Sequence, residues 1–115
     1  MADYGYQLDE NDDPIISDCN KVEFGIYYAT KQSMAAFNAL YTNKKGLQDK
    51  FVSYWDHVSA RFSSNPYVVG YDPLNEPWGA FSRDPKNLIP GHMDKNVLAP
   101  LYARVFEKYE TNSAS

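Results

Sequence analysis

"YVVGYDPLNEPWG", residues 67–79, decides how this chain is read. Tyr67 to Tyr71 is a run of strand-forming residues without polar alternation, the pattern of a short strand covered on both faces in a parallel sheet or barrel. Gly70 within it marks a bend or a close backbone approach. Just beyond stands a carboxylate, Glu76, between the amide of Asn75 and Pro77. The carboxyl end of a parallel strand is where (β/α) barrels and open α/β sheets place their ligands. There the strand fixes the backbone, Pro77 stiffens the exit, and Asn75 offers an amide to a substrate hydroxyl beside the acid. Trp78 is close enough to present an apolar face to a sugar ring, and partial burial beside such a ring favours the protonated form that a general acid needs. Asn-Glu-Pro is also ordinary turn chemistry, so the tripeptide alone says little; its setting carries the signal.

Working outward, "TKQSMAAFNALY" from Thr30 to about Tyr41 places Met34, Phe37 and Tyr41 on one helical side, with Thr30 as N-cap. Asn43 to Gly46 ends that helix, and a second runs from about Leu47 to Phe62. Its stripe of Phe51, Trp55, Val58 and Phe62 reads as core, and His57, off the stripe, as a surface residue. After "SSNP" and the strand, a loop from Trp78 to about Lys95 leads to a last helix over about Asn96 to Tyr109, with Pro100 in its first turn. Val97, Leu98, Leu101, Tyr102, Val105, Phe106 and Tyr109 give it a wide apolar face. The tail "ETNSAS" reads as frayed. Residues 1–22, rich in Asp, Asn and Tyr, show no period and read as loop.

The chain has 115 residues, one domain's worth, with 43% apolar residues and ten tyrosines, enough for a core. A net charge of −4 and the lack of any Lys/Arg run argue against a nucleic-acid surface. "LDENDD" reads as a solvated acidic face, since the spacing of a calcium loop is missing, and no metal is expected. Cys19 has no internal partner and reads as an idle thiol. The acidic N-terminus does not have the pattern of a secretory signal, and no stretch has the length of a membrane span.

Two mismatches point beyond these residues. A lone buried strand leaves both edges unpaired, and the helices carry apolar faces broader than one strand can cover. Both vanish in a slice of a larger α/β protein.

The stretch "VVGYDPLNEPWGAF" resembles the acid/base segment of glycoside hydrolase family 5, retaining glycosidases built on the (β/α)8 TIM barrel. "AAFNALYTNKKGLQDKFVSYWDHVSARFSSNPYVVGYDPLNEPWG" is more particularly similar to the endoglycoceramidases and related glucosylceramidases of that family, and "LAPLYARVFE" resembles their next helix. The resemblance spans about residues 33–109, with 1–32 as a variable insertion. It implies an α/β fold contributing the third helix, fourth strand and fourth helix of the barrel. Glu76 then matches the general acid/base and Asn75 the amide that holds the sugar's 2-hydroxyl; no cofactor is implied. The substrate expected is a glycosphingolipid or another β-glucoside. Phe81, Leu88, Ile89 and Met93 in the following loop suit an amphiphilic leaving group or a lipid surface, and plain loop packing explains them equally well. The family's setting is secreted or lysosomal.

The departures are plain. The nucleophile's strand end has no counterpart, since Asp84, Asp94, Glu107 and Glu110 lie in a loop or on the last helix. Pro73 replaces an apolar residue of the family, and a proline there removes a ladder donor. The 115 residues alone are therefore expected to be inactive, and to be marginally stable or to associate. Two rival readings remain: a β-glucanase of the same family, and a non-catalytic helical module in which Asn-Glu-Pro is only a turn.

Overall fold

The computed structural model describes residues 7–19 and 21–113, apart from the side chain of Cys19, so the reading of that thiol lies outside it. Among the described residues five α-helices follow in order: α1 (Ile16–Cys19), α2 (Phe24–Tyr28), α3 (Lys31–Tyr41), α4 (Leu47–Phe62) and α5 (Ala99–Ser113). Short 3-10 turns occupy Lys44–Gly46 and Pro85–Leu88, and a π-helical turn, Asp94–Leu98, leads into α5.

The N-terminal region is more ordered than its sequence suggests. Asp9 Oδ1 accepts from Asn11 N at 2.8 Å and Asp13 N at 3.1 Å. The acidic run thus serves a turn. Two short helices, α1 and α2, follow within the stretch read as an insertion.

Helix ends follow their residues closely. Thr30 Oγ1 accepts from Ser33 N at 3.3 Å and starts α3 as expected. Asn43 (φ 53°), Lys45 (φ 54°) and Gly46 (φ 73°) then carry the chain through the left-handed region into α4. Gly46 has no side chain to cap α4, and Asn43 supplies the cap from upstream. Its Oδ1 accepts from Asp49 N at 3.1 Å while its Nδ2 donates to Asp49 Oδ2 at 2.9 Å. This bond from Asn43, and then Arg104, holds the Asp49 carboxyl below its ordinary pKa.

α4 and α5 form the core pair and run parallel. Near their starts, Arg104 of α5 donates to Gln48 Oε1 and to Asp49 Oδ1, the latter at 2.5 Å. Near their ends, Asn112 Nδ2 donates to Asp56 O at 3.0 Å, Asp56 Oδ1 at 3.1 Å and Ser59 Oγ at 2.8 Å. Val52 and Ser59 of α4, Leu101 and Val105 of α5, and Leu98, Met34 and Ala80 are buried.

Several expectations need correction. The stripe of Phe51, Trp55 and Val58 is only half-buried, and Phe62 is exposed. α5 covers the neighbouring face through Val52 and Ser59. The stripe lies beside that face: Phe51 lines an apolar groove of about 470 Å³ with Ala36, Phe37, Leu40, Leu47 and Leu74. Trp55 sits edge-on to Tyr71 and Tyr109 at 6.1 and 6.2 Å.

The α/β class is not realised among the described residues, where the only β-type pairing is the bridge Leu8–Pro14. Residues 67–71 form no strand, and Tyr67 and Val69 are 90% and 103% exposed. A strand exists only through ladder partners, and among the described residues no backbone segment pairs with this one. The last helix proper begins at Ala99, three residues later than expected, because Pro100 has no N–H and its ring crowds the carbonyl four residues back. The π turn widens the backbone there, with Ala99 N–H bonded to Asp94 O. At the other end α5 continues to Ser113, so residues 110–113 are not frayed, because Asn112 ties them to α4. His57 is exposed as expected, with Nδ1 2.8 Å from Ser53 O.

Asn112→Ala should lower stability by about 1–3 kcal/mol, since it strips a part-buried donor from three acceptors; thermal unfolding would measure this. Burial first, then the nearby Tyr71 and Asp72, pushes the Tyr109 phenol from 10.0 up to about 12. A raised folded pKa gives stability that is complete below pH 10.0 and is lost as pH rises through about 12. Urea midpoints should therefore fall across that window, with a shallower slope in Tyr109→Phe.

Candidate active site

Residues 71–80 form a segment without regular secondary structure, held in place by side chains from outside it. Glu76 (φ 43°) and Ala80 (φ 47°) both lie in the left-handed region, which costs a non-glycine residue about 1–2 kcal/mol. Such strain persists where the surroundings over-determine the backbone. Between the two strained residues, consecutive carbonyls are held. Tyr41, the last residue of α3, donates its hydroxyl to Trp78 O at 2.7 Å. Asn87, on the Pro85–Leu88 turn, donates Nδ2 to Gly79 O at 2.5 Å. That turn is itself set by Asp84, whose Oδ1 accepts from Lys86 N at 3.1 Å. Ala80 is buried, and its carbonyl accepts from Arg83 N at 2.8 Å.

This arrangement places Glu76, Pro77 and Trp78 on one wall of a cavity of about 470 Å³, completed by Phe24, Gly25 and Tyr28 of α2. Trp78 is half-buried, with ring centroids 5.4 Å from Tyr28 and 5.3 Å from Phe81. Phe24 meets Tyr28 edge-on at 5.5 Å. The cavity is therefore an aromatic bowl with one carboxylate on its wall. Aromatic faces cover the C–H faces of a sugar, and a carboxyl at the rim can exchange a proton with it.

Of the residues singled out in the sequence, Glu76 and Trp78 share this cavity, while Asn75 is exposed and lies off its wall. The Glu76 carboxyl is also exposed rather than partly buried beside Trp78, and no strand ends beneath it. Without a barrel rim around the turn, nothing covers that side of it. His92 also lies off the wall; its carbonyl and Nδ1 are 2.9 and 3.3 Å from Asn96 Nδ2. Phe24 and Tyr28 went unread. Their i, i+4 aromatic spacing in "FGIYY" was the available signal, in a helix too short to show a period. Among the described residues no three His, Cys, Asp or Glu side chains group as a metal site. Trp78 Nε1 is buried with no partner.

Comparison with known proteins gives this cavity a context. The chain is 37% identical over 99 residues, 85% of its length, to an endoglycoceramidase from Cyanea nozakii. It is 38% identical over 90 residues, 77% of its length, to an endoglycoceramidase from Hydra vulgaris. The chain is endoglycoceramidase-like. It spans about a fifth of these relatives, 20% and 17% of their lengths. No family model and no solved structure matches it. A match covering 85% of the chain cannot avoid its middle, so the Asn75–Trp78 turn falls within the endoglycoceramidase-like stretch.

A Cβ added to Gly79 would meet Phe81 Cδ1 at 3.2 Å, Met93 Sδ at 3.6 Å and Asn87 Cβ at 3.8 Å. Gly79→Ala should therefore push the Phe81 ring off Trp78, costing about 1 kcal/mol. A shifted tryptophan emission together with a lowered unfolding midpoint would register it.

Proposed function

We propose that this chain is the acid/base segment of a retaining endoglycoceramidase built on a (β/α) barrel, acting on the bond between glycan and ceramide in a glycosphingolipid. The observation that carries the reading is the likeness to two endoglycoceramidases across the part of the chain that bears Glu76. In this reading Glu76 protonates the glycosidic oxygen as the bond to the aglycone breaks. A second carboxylate, from outside these residues, attacks the anomeric carbon. Glu76, now ionised, takes a proton from water as the glycosyl-enzyme is hydrolysed. Asn75 binds the sugar hydroxyl beside the reacting carbon, and Trp78 with Tyr28 supports the ring.

The barrel assignment draws on the parallel pairing of α4 and α5, on the apolar groove between α3 and α4, and on the exposure of Tyr67 and Val69 in the 67–71 segment. Each is what a helix–strand–helix slice leaves uncovered. Contact with a lipid surface is favoured by Leu88 and Ile89, consecutive apolar residues 67% and 58% exposed.

Retaining hydrolysis needs two carboxylates about 5 Å apart. Glu76 is the one carboxylate on the wall of the aromatic cavity among the described residues. The 115-residue chain alone should therefore show no turnover of a fluorescent glycosphingolipid. A chimera in which it replaces the matching segment of the Hydra vulgaris endoglycoceramidase should hydrolyse that substrate, and Glu76→Gln should lower its kcat by about 10²- to 10⁴-fold. Full activity with glutamine at 76 would refute the reading and leave the turn as mere structure.

A further inference from the structure

We infer that Tyr41 and Asn87 are positioning residues that set the Glu76 carboxyl, an inference that rests on the acid/base reading above. Neither belongs to the Asn-Glu-Pro motif; one closes α3 and the other sits on the Pro85–Leu88 turn. Yet they grip adjacent carbonyls, Trp78 O at 2.7 Å and Gly79 O at 2.5 Å, between the two left-handed residues Glu76 and Ala80. A left-handed non-glycine backbone relaxes unless something holds it. Among the described residues, no backbone N–H from Val69 to Ser82 makes a turn or loop bond to another carbonyl. The two side chains therefore supply restraint that the backbone does not.

The chemistry of each donor fits that task. Asn87 Nδ2 must face Gly79 O, because only the amide nitrogen donates. This leaves Asn87 Oδ1 buried without a partner, a costly state that an apolar side chain of similar size would avoid. The donor is kept at the expense of the acceptor. Tyr41 is half-buried, and that burial drives its phenol well above the ordinary value, so the hydroxyl remains a donor across the neutral range. Its ring also lies tilted against Phe37 at 6.1 Å, a contact that Tyr41→Phe would preserve. Removing either donor loosens the turn and lets Glu76 and Trp78 move relative to the sugar without altering the carboxyl itself. Misplacing a reacting group is expressed mainly in kcat, whereas losing a binding contact is expressed in KM.

Two measurements test this. In the 115-residue chain, nitrogen–proton spectra of Tyr41→Phe and Asn87→Asp should show shifted amide resonances over residues 76–80 while those of α4 and α5 stay in place. Asp at 87 can donate only when protonated, so its resonances should return toward wild type as the pH is lowered through the range of a carboxyl. In the chimera, either substitution should lower kcat about tenfold with KM little changed. Asn87→Asp should regain part of its kcat on the acid side of the pH profile, and Asn87→Leu should regain none. Unchanged amide resonances over 76–80 would overturn the inference, as would unchanged kcat in a chimera that Glu76→Gln silences. If the resonances shift but Glu76→Gln leaves the chimera active, the acid/base reading fails and the restraint of the turn stands as structure only.

Discussion

The parallel pairing of α4 with α5 is the constraint on which the rest of this molecule depends. It is fixed at both ends, by Arg104 on Gln48 and Asp49 and by Asn112 on Asp56 and Ser59, with Val52, Leu101 and Val105 between. Two parallel helices adjacent in space and successive in the chain require the connection to travel back the length of the first. The sixteen residues of α4 span about 24 Å, and eight extended residues cover about 26 Å. Residues 67–74 make that return. Tyr71 lies against Trp55 in the middle of α4, and Leu74 lies with Phe51 and Leu47 at its start, so the segment runs antiparallel to the helix. In the barrel proposed above, a strand of a helix–strand–helix unit would take this path; here it is traced without a ladder.

The same constraint explains what the sequence made legible. Helix ends depend on local chemistry, so Thr30, Asn43 and Gly46 marked the limits of α3 and α4 closely. Which face of α4 is most deeply buried depends on what packs against it, and here α5 takes Val52 and Ser59 while the aromatic stripe borders α3, the return segment and Tyr109 of α5. Ser59 looks like a surface residue in sequence. It is buried because a small side chain admits Asn112, whose amide it accepts. Asn112 in turn reads as part of a polar tail until its three acceptors are seen. The tail is helical for a reason that lies more than fifty residues away.

The candidate site divides along the same line. That Glu76 and Trp78 stand close together was legible because they are two residues apart in one turn, whereas Asn75, beside them in sequence, lies off the cavity wall. The cavity that has Glu76 on its wall was not, because half of that wall comes from α2, a single helical turn of which Phe24 and Tyr28 are the aromatic residues that line it. Nor were Tyr41 and Asn87 visible as partners of the turn, lying 37 residues before and 8 residues after the carbonyls they hold. Contacts of side chains to loop carbonyls leave no periodic trace in a sequence, since the acceptor is backbone and any residue can carry it.

What remains uncovered is as informative as what is packed. Val69 shows its whole side chain to solvent, Tyr67 nearly so, and the groove lined by Phe37, Leu40 and Phe51 is almost wholly apolar. Water does not favour such surfaces, and a chain selected to stand with them bare would be expected to carry polar residues there. The run Tyr67–Tyr71 is instead apolar toward both sides, which only a covered strand rewards. Backbone N–H groups from Val69 to Ser82 are likewise without turn or loop partners among the described residues. An added strand on each side would satisfy the ladder, cover Val69, and close the open side of the Glu76 turn in one step. In the barrel proposed above, the exposed Glu76 and the open 67–71 segment would thus be covered together, by the same neighbouring strands.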